Sequence, residues 1–133
     1  MHINVRVLIK ILGVLTLIEG LFMLPCAALG LHFREWQAAS PLFIVSLFCI
    51  CVGFVILTQM HFDKIKLHFH EGYLIACLSW IFCSFIGAFP FYYCGQSYSF
   101  VSCYFESVAG FTTTGCTVFE LDDLPRCLLL WKA

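Results

Sequence analysis

From Gly72 to Tyr93 the chain runs without one charged side chain, and from Leu42 to Leu57 it does so again. A third apolar run, Val7 to Leu31, carries only Lys10 near its start and Glu19 inside it. With its flanks, each run is long enough to take a helix across a hydrocarbon core about 30 Å thick, which needs about 20 residues. Over all 133 residues the chain is 62% apolar and 11% charged, against about 45–50% and about 25% in soluble domains. A domain this small exposes much of its area, and so few charges cannot cover it. An ordinary soluble fold and a disordered chain are both excluded. The net charge of −1 offers no attraction for nucleic acid or for an anionic membrane surface. The expected fold is therefore an all-α membrane protein embedded in the lipid bilayer.

The first run, with Arg6 before it and Lys10 near its start, imitates a signal peptide, and Cys26-Ala27-Ala28 imitates a cleavage site. The run is too long for such a segment, contains a carboxylate and leads into more apolar sequence, so a retained first span is expected. Pro25 lies late in it, where proline kinks or ends a helix. A polar connection, His32 to Ser40, precedes Pro41, which suits a first helical turn and opens the second span. Residues 1–58 thus read as two leading transmembrane helices. Residues 59–71 read as a polar connection, and the third span follows, ending around Pro90.

After Tyr93 the character changes. Cys94-Gly95-Gln96-Ser97 reads as a turn, and Ser99 or Ser102 is placed to cap a short helix ending near Gly110. Twelve residues rise about 18 Å, little more than half the hydrocarbon core. Phe111-Thr112-Thr113-Thr114-Gly115-Cys116-Thr117 is a poor helix, crowded with β-branched residues and glycine. Glu120, Asp122, Asp123 and Pro125 make a polar exit, and Leu128-Leu129-Leu130-Trp131-Lys132-Ala133 reads as a fourth span stopped just after it began. Orientation follows Lys and Arg alone. Arg6, Lys10, Lys64 and Lys66 on one side outnumber Arg34 and Arg126 on the other, which favours a cytoplasmic N-terminus and a cytoplasmic 59–71 connection. The acidic exit then lies on the far side.

Irregular backbone at membrane depth leaves N–H and C=O groups without helical partners, and is tolerated only where protein or a water-filled pathway satisfies them. A re-entrant helix that enters halfway and returns as an extended filter strand is one way to line a cation pathway with carbonyl oxygens, which replace the ion's hydration shell. Gly115 permits a conformation that a Cβ opposes, and the acidic exit raises the local cation concentration. A plain helix-terminating loop at the membrane edge is the alternative for Thr112–Gly115.

The segments Glu71-Gly72-Tyr73-Leu74-Ile75, Ser79-Trp80, Gly87-Ala88-Phe89-Pro90-Phe91 and Phe105-Glu106-Ser107-Val108-Ala109-Gly110-Phe111-Thr112-Thr113-Thr114-Gly115 resemble the Trk/Ktr-type potassium uptake proteins of the TrkH-like branch. Leu124-Pro125 and Leu128 to Lys132 resemble the start of that family's next helix. The resemblance implies four span–pore–span repeats around one potassium pathway, of which residues 72–133 match the first repeat, cut off early in its second span. It implies potassium coordination by backbone oxygens of Thr113 and Thr114, with Thr112 and Gly115 beside them. The stretch containing Phe105, Glu106 and Gly110 matches the pore helix. Repeats two to four and the gate of a later repeat are absent, and Cys116 stands where a potassium channel has Tyr-Gly. For a complete protein the resemblance implies the bacterial inner membrane, homodimerisation and a cytoplasmic nucleotide-binding regulatory subunit. Potassium is cargo, and no cofactor is implied.

Plainer readings stand beside these. Glu19 is read first as a packing residue or a polar contact to a missing repeat, with an ion site as the alternative. Glu106 is expected to bond within the pore-helix surroundings rather than to coordinate an ion. His61, Asp63, His68 and His70 imitate a metal cluster but read as a wet loop, and Lys132 has no assigned role. The nine cysteines are odd in number, lack a CxxC and lie largely in apolar runs, which favours free thiols over a disulfide framework or zinc site. No nucleophile–base pair is apparent, so the chain is not read as an enzyme. The expected function is potassium transport as part of a larger assembly. The alternative is a small non-transporting membrane anchor or accessory subunit.

Overall fold

The computed structural model describes residues 5–59, 69–94 and 98–133. Helices α1 (Val5–His32), α2 (Trp36–Gln59) and α3 (Phe69–Tyr92) are followed by a short helix α4 (Phe100–Phe111), a 3₁₀ turn (Leu121–Asp123) and α5 (Arg126–Lys132). The first three are long and apolar enough to cross a membrane. No strand occurs among the described residues. The chain is an all-α, multi-pass membrane fold with a half-length helix after the third span. The 60–68 connection, with His61, Asp63, Lys64, Lys66 and His68, and the 95–97 turn lie outside the described residues.

Helices α1 and α2 form an antiparallel hairpin along a seam of small residues. In lipid, helices gain little from hydrophobic burial and associate by close backbone packing and polar contacts. Gly20 provides both: its carbonyl accepts from Ser46 Oγ at 2.9 Å, and a Cβ on it would lie 2.9 Å from the Cys49 Cβ and from the Ser46 carbonyl oxygen. Ala27, Ala38 and Ala39 continue the seam, fully buried. The outer faces carry exposed Phe22, Ile44, Phe48 and Phe54, as lipid-facing surfaces require.

The connection is shorter than the sequence suggested. Only residues 33–35 separate the helices, because α1 ends in a Schellman turn. Arg34 takes φ 60, and the Arg34 and Glu35 amides donate to the Leu31 and Gly30 carbonyls at 3.2 and 2.9 Å. Pro25 neither ends α1 nor opens a break, and Pro41 sits inside α2 rather than in its first turn. A proline forfeits one ladder bond, a loss that packing against neighbouring helices offsets in a membrane. Pro90 likewise lies inside α3, which continues to Tyr92.

Helix α4 folds back against α3 through aromatic edges. Phe100 packs against Phe85, Phe89 and Tyr92 at ring separations of 5.6, 6.0 and 5.8 Å. A core of Met23, Leu42, Ala88, Phe91, Cys103, Phe119, Leu124 and Leu128 then joins all five helices. All nine cysteines are free.

Replacing Gly20 by Leu forces a side chain into the α1–α2 seam and should cost about 1–3 kcal/mol. Denaturant unfolding of the detergent-solubilised chain checks this, with lipid-facing Ile44→Leu expected to be near neutral.

Candidate functional site

The half-length helix is capped at both ends by its own sequence. Ser99 at the N-cap accepts from the Ser102 amide at 3.2 Å, one of the two serines read as caps. At the other end Thr112 closes the helix, and Thr113 turns into the left-handed region at φ 54. The Thr113 amide donates to Gly110 O and the Thr114 amide to Ala109 O, both at 3.0 Å, which completes a Schellman motif. Glycine normally occupies the left-handed position, and a β-branched residue there is strained. Gly115 also has positive φ, at 72, with open space around it. Two left-handed residues, Thr113 and Gly115, therefore lie within three positions.

Hydroxyls knit the segment locally. Thr112 Oγ1 donates to Val108 O at 2.7 Å and lies 2.8 Å from Thr114 Oγ1, while Thr113 Oγ1 donates to Thr112 O at 2.7 Å. Thr112, Thr113, Thr114, Gly115 and Cys116 are all exposed, so this segment presents a face that the chain itself leaves uncovered. It is irregular rather than a regular extended strand, because two left-handed residues interrupt it.

What holds the returning chain is Glu106. It sits in the middle of α4 with no exposed surface. Its Oε1 accepts from the Thr117 hydroxyl at 2.7 Å, from the Phe119 amide at 3.2 Å and from the Val118 amide. Its Oε2 pairs with Lys132 Nζ at 2.8 Å. One carboxylate thus supplies the acceptor for non-helical amides and links α4, the returning chain and α5. Of the other residues singled out in this helix, Phe105 lies on its exposed side, and Gly110 lets the backbone at Lys132 approach, with 3.3 Å left for a Cβ.

A second carboxylate positions α5. Pro125 at its N-cap makes no side-chain cap bond. The role falls to Glu35 in the α1–α2 turn, whose oxygens accept from the Arg126 and Cys127 amides at 3.1 and 3.2 Å. The Arg126 guanidinium stacks over Phe33 at 4.5 Å. From α5, the Trp131 indole donates to Gly87 O at 3.2 Å, one turn before Pro90. Sequence reasoning assigned Glu106 a bond near the half-helix but gave no partner to Lys132 and no role to Glu35. A proline at a helix start, with no side chain to cap it, was the available signal for an external cap.

The acidic exit residues Glu120, Asp122 and Asp123 are exposed beside this corner. Among the described residues no group of three or more His, Cys, Asp or Glu converges to hold a metal. His70 lies at the start of α3, and its side chain, like His61, Asp63 and His68, is outside what the structure describes.

Three helices long and apolar enough to span a membrane, a half-length helix, and an irregular, exposed threonine–glycine turn followed by chain that a buried carboxylate holds define a multi-pass membrane protein. The particular family is set by comparison with known proteins. Residues 39–133 match the TrkH family of cation transport proteins, and the chain belongs to that family. It is 31% identical over 132 residues to the Trk system potassium uptake protein TrkG of Escherichia coli K12, covering 98% of this chain and 27% of that protein. It is 35% identical to the TrkH of Halomonas elongata, covering 97% and 27%. The crystal structure of the potassium transporter TrkH from Vibrio parahaemolyticus superimposes with a TM-score of 0.86 at 28% identity, over 97% of this chain and 28% of that one. The chain therefore spans about a quarter of the length of these relatives.

Glu106→Ala leaves the Val118 and Phe119 amides and the Lys132 ammonium without their acceptor. Losing a buried charged partner costs about 3–5 kcal/mol. Hydrogen exchange at Val118 and Phe119 should accelerate at least tenfold, and the exchange of α2 amides should hold.

Proposed function

We propose that this chain supplies one strand of a potassium pathway, with the backbone carbonyls of Thr113 and Thr114 as potassium ligands and those of Thr112 and Gly115 flanking them. The observation that carries the reading is the end of α4 after 12 residues, directly before an exposed Thr-Thr-Thr-Gly turn, in a chain of the TrkH family. The C-terminal end of a helix carries about half a negative charge, and α4 delivers that end to Thr112–Gly115. A cation there trades water oxygens for fixed carbonyls, and selectivity follows from their number and field. Chemistry is passive: the cargo is potassium, and no residue acts as catalyst.

One strand provides a fraction of a coordination shell. The chain spans only 27% and 28% of the length of its relatives, and the remaining repeats are proposed to complete the ring. The complete assembly is proposed to sit in the bacterial plasma membrane as a homodimer with a cytoplasmic nucleotide-binding regulatory subunit. A cytoplasmic N-terminus is favoured by Arg6, Lys10, Lys64 and Lys66 against Arg34 and Arg126. The Glu35–Arg126 contact supports placing the α1–α2 turn and the start of α5 at the same end.

Rubidium uptake into a potassium-uptake-deficient bacterium tests this. The chain joined to the remaining repeats is expected to restore uptake, and the chain alone is not. Gly115→Asp should abolish uptake. Gly115→Ala should lower it severalfold, since left-handed backbone costs a Cβ-bearing residue about 1–2 kcal/mol where space is open. Rescue that survives Gly115→Asp contradicts the assignment, and the non-transporting anchor then becomes the better reading.

A further inference from the structure

The seven residues of α5 tie together two parts of the chain that lie far apart in sequence. Their first turn is seated on the α1–α2 hairpin. Pro125 gives that turn no side-chain cap. Glu35, 91 and 92 positions earlier, takes the Arg126 amide on one oxygen and the Cys127 amide on the other. Two further contacts fix the same seat. The Arg126 guanidinium lies 4.5 Å over the Phe33 ring. Cys127, with no exposed surface, reaches into the seam at Gly30, where a Cβ would stand 2.9 Å from the Cys127 Cβ and 2.8 Å from the Ala39 Cβ. A side chain at position 30 would therefore push the start of α5 off the hairpin.

The other end of α5 is seated on the chain that follows Thr112–Gly115. Lys132 Nζ pairs with Glu106 Oε2 at 2.8 Å, and Oε1 of the same carboxylate accepts from the Thr117 hydroxyl and from the Val118 and Phe119 amides. Helices curve only gently, with radii of about 60–100 Å. Seven residues, about 10 Å long, therefore move as one body, and a displacement at Arg126 reaches Lys132. We propose that Glu35 is a positioning residue for the potassium pathway: by seating α5 it sets where Lys132 meets Glu106, and so where the chain after Gly115 is held. The proposal rests on the reading of Thr112–Gly115 as a potassium-binding strand, and it gives the leading hairpin a part in cation binding. The ligands there are backbone carbonyls, whose number and field set selectivity, so a shift in their placement reads out as a changed affinity for the ion.

The test uses the chain joined to the remaining repeats. Rubidium uptake is measured with sodium as competitor, and hydrogen exchange at Val118 and Phe119 is followed in the purified protein. Glu35→Ala removes both acceptors, and the loss of a helix cap is typically worth about fivefold in an equilibrium. At equal amounts of transporter in the membrane it is expected to raise the KM for rubidium and the exchange at Val118 and Phe119, each about fivefold, and to make sodium a stronger competitor. Glu35→Gln keeps one acceptor oxygen; it is expected to fall between, and it serves where the alanine variant does not reach the membrane. Gln37→Ala, at an exposed position in the first turn of α2, is expected to match the unaltered protein. A purely structural role for Glu35 lowers the maximal rate with the amount of transporter and leaves KM and sodium competition unchanged. That result overturns the proposal, as does unchanged exchange at Val118 and Phe119. Gly115→Asp tells the two readings apart: uptake that survives it sinks the pathway itself, whereas an unchanged KM in the Glu35 variants with Gly115→Asp inactive sinks only the role of Glu35.

Discussion

The Glu106 carboxylate is the interaction on which the re-entrant corner depends. A helix of only 12 residues and a following chain without regular structure leave amides that lipid cannot satisfy. Glu106 answers with one oxygen for Val118, Phe119 and Thr117 and the other for Lys132. Such a carboxylate would be costly alone, because desolvating a charge outweighs most single contacts. It is stable here because amides, a hydroxyl and an ammonium all converge on it. The arrangement also leaves the Thr112–Gly115 segment exposed, with hydrogen bonds running within itself and to the last turn of α4.

The remaining contacts place that corner. Small residues bring α1 and α2 together, and their turn presents Glu35 to the start of α5. Helix α5 in turn delivers Lys132 to Glu106 and Trp131 to Gly87. The two Schellman turns, at Arg34 and Thr113, serve different ends. At Arg34 the strain shortens a connection so that Glu35 faces α5. At Thr113 it redirects the chain at the point where a cation pathway is proposed, a placement typical of strained residues at functional sites.

Much of this was legible in the sequence, for physical reasons. The spans follow from apolar length, and the half-helix follows from serine caps followed by a β-branched, glycine-containing run. Glu106 was readable as a bonded residue because a bare carboxylate is costly inside a membrane. Boundaries were less readable. Pro25 and Pro41 look like helix ends by local rules, but helix packing overrides the loss of one ladder bond. The left-handed Thr113 gave no signal, since glycine is the residue expected there. Glu35 and Lys132 have partners distant in the chain, and no periodicity reports such pairs.

The most direct measurement is anomalous diffraction from crystals of the assembled transporter containing this chain, grown with thallium(I) in place of potassium. The account predicts an anomalous peak in direct contact with the Thr113 and Thr114 carbonyl oxygens, lost on exchange into excess potassium. Thallium peaks bounded entirely by other parts of the protein, with those two carbonyls turned away, would contradict it.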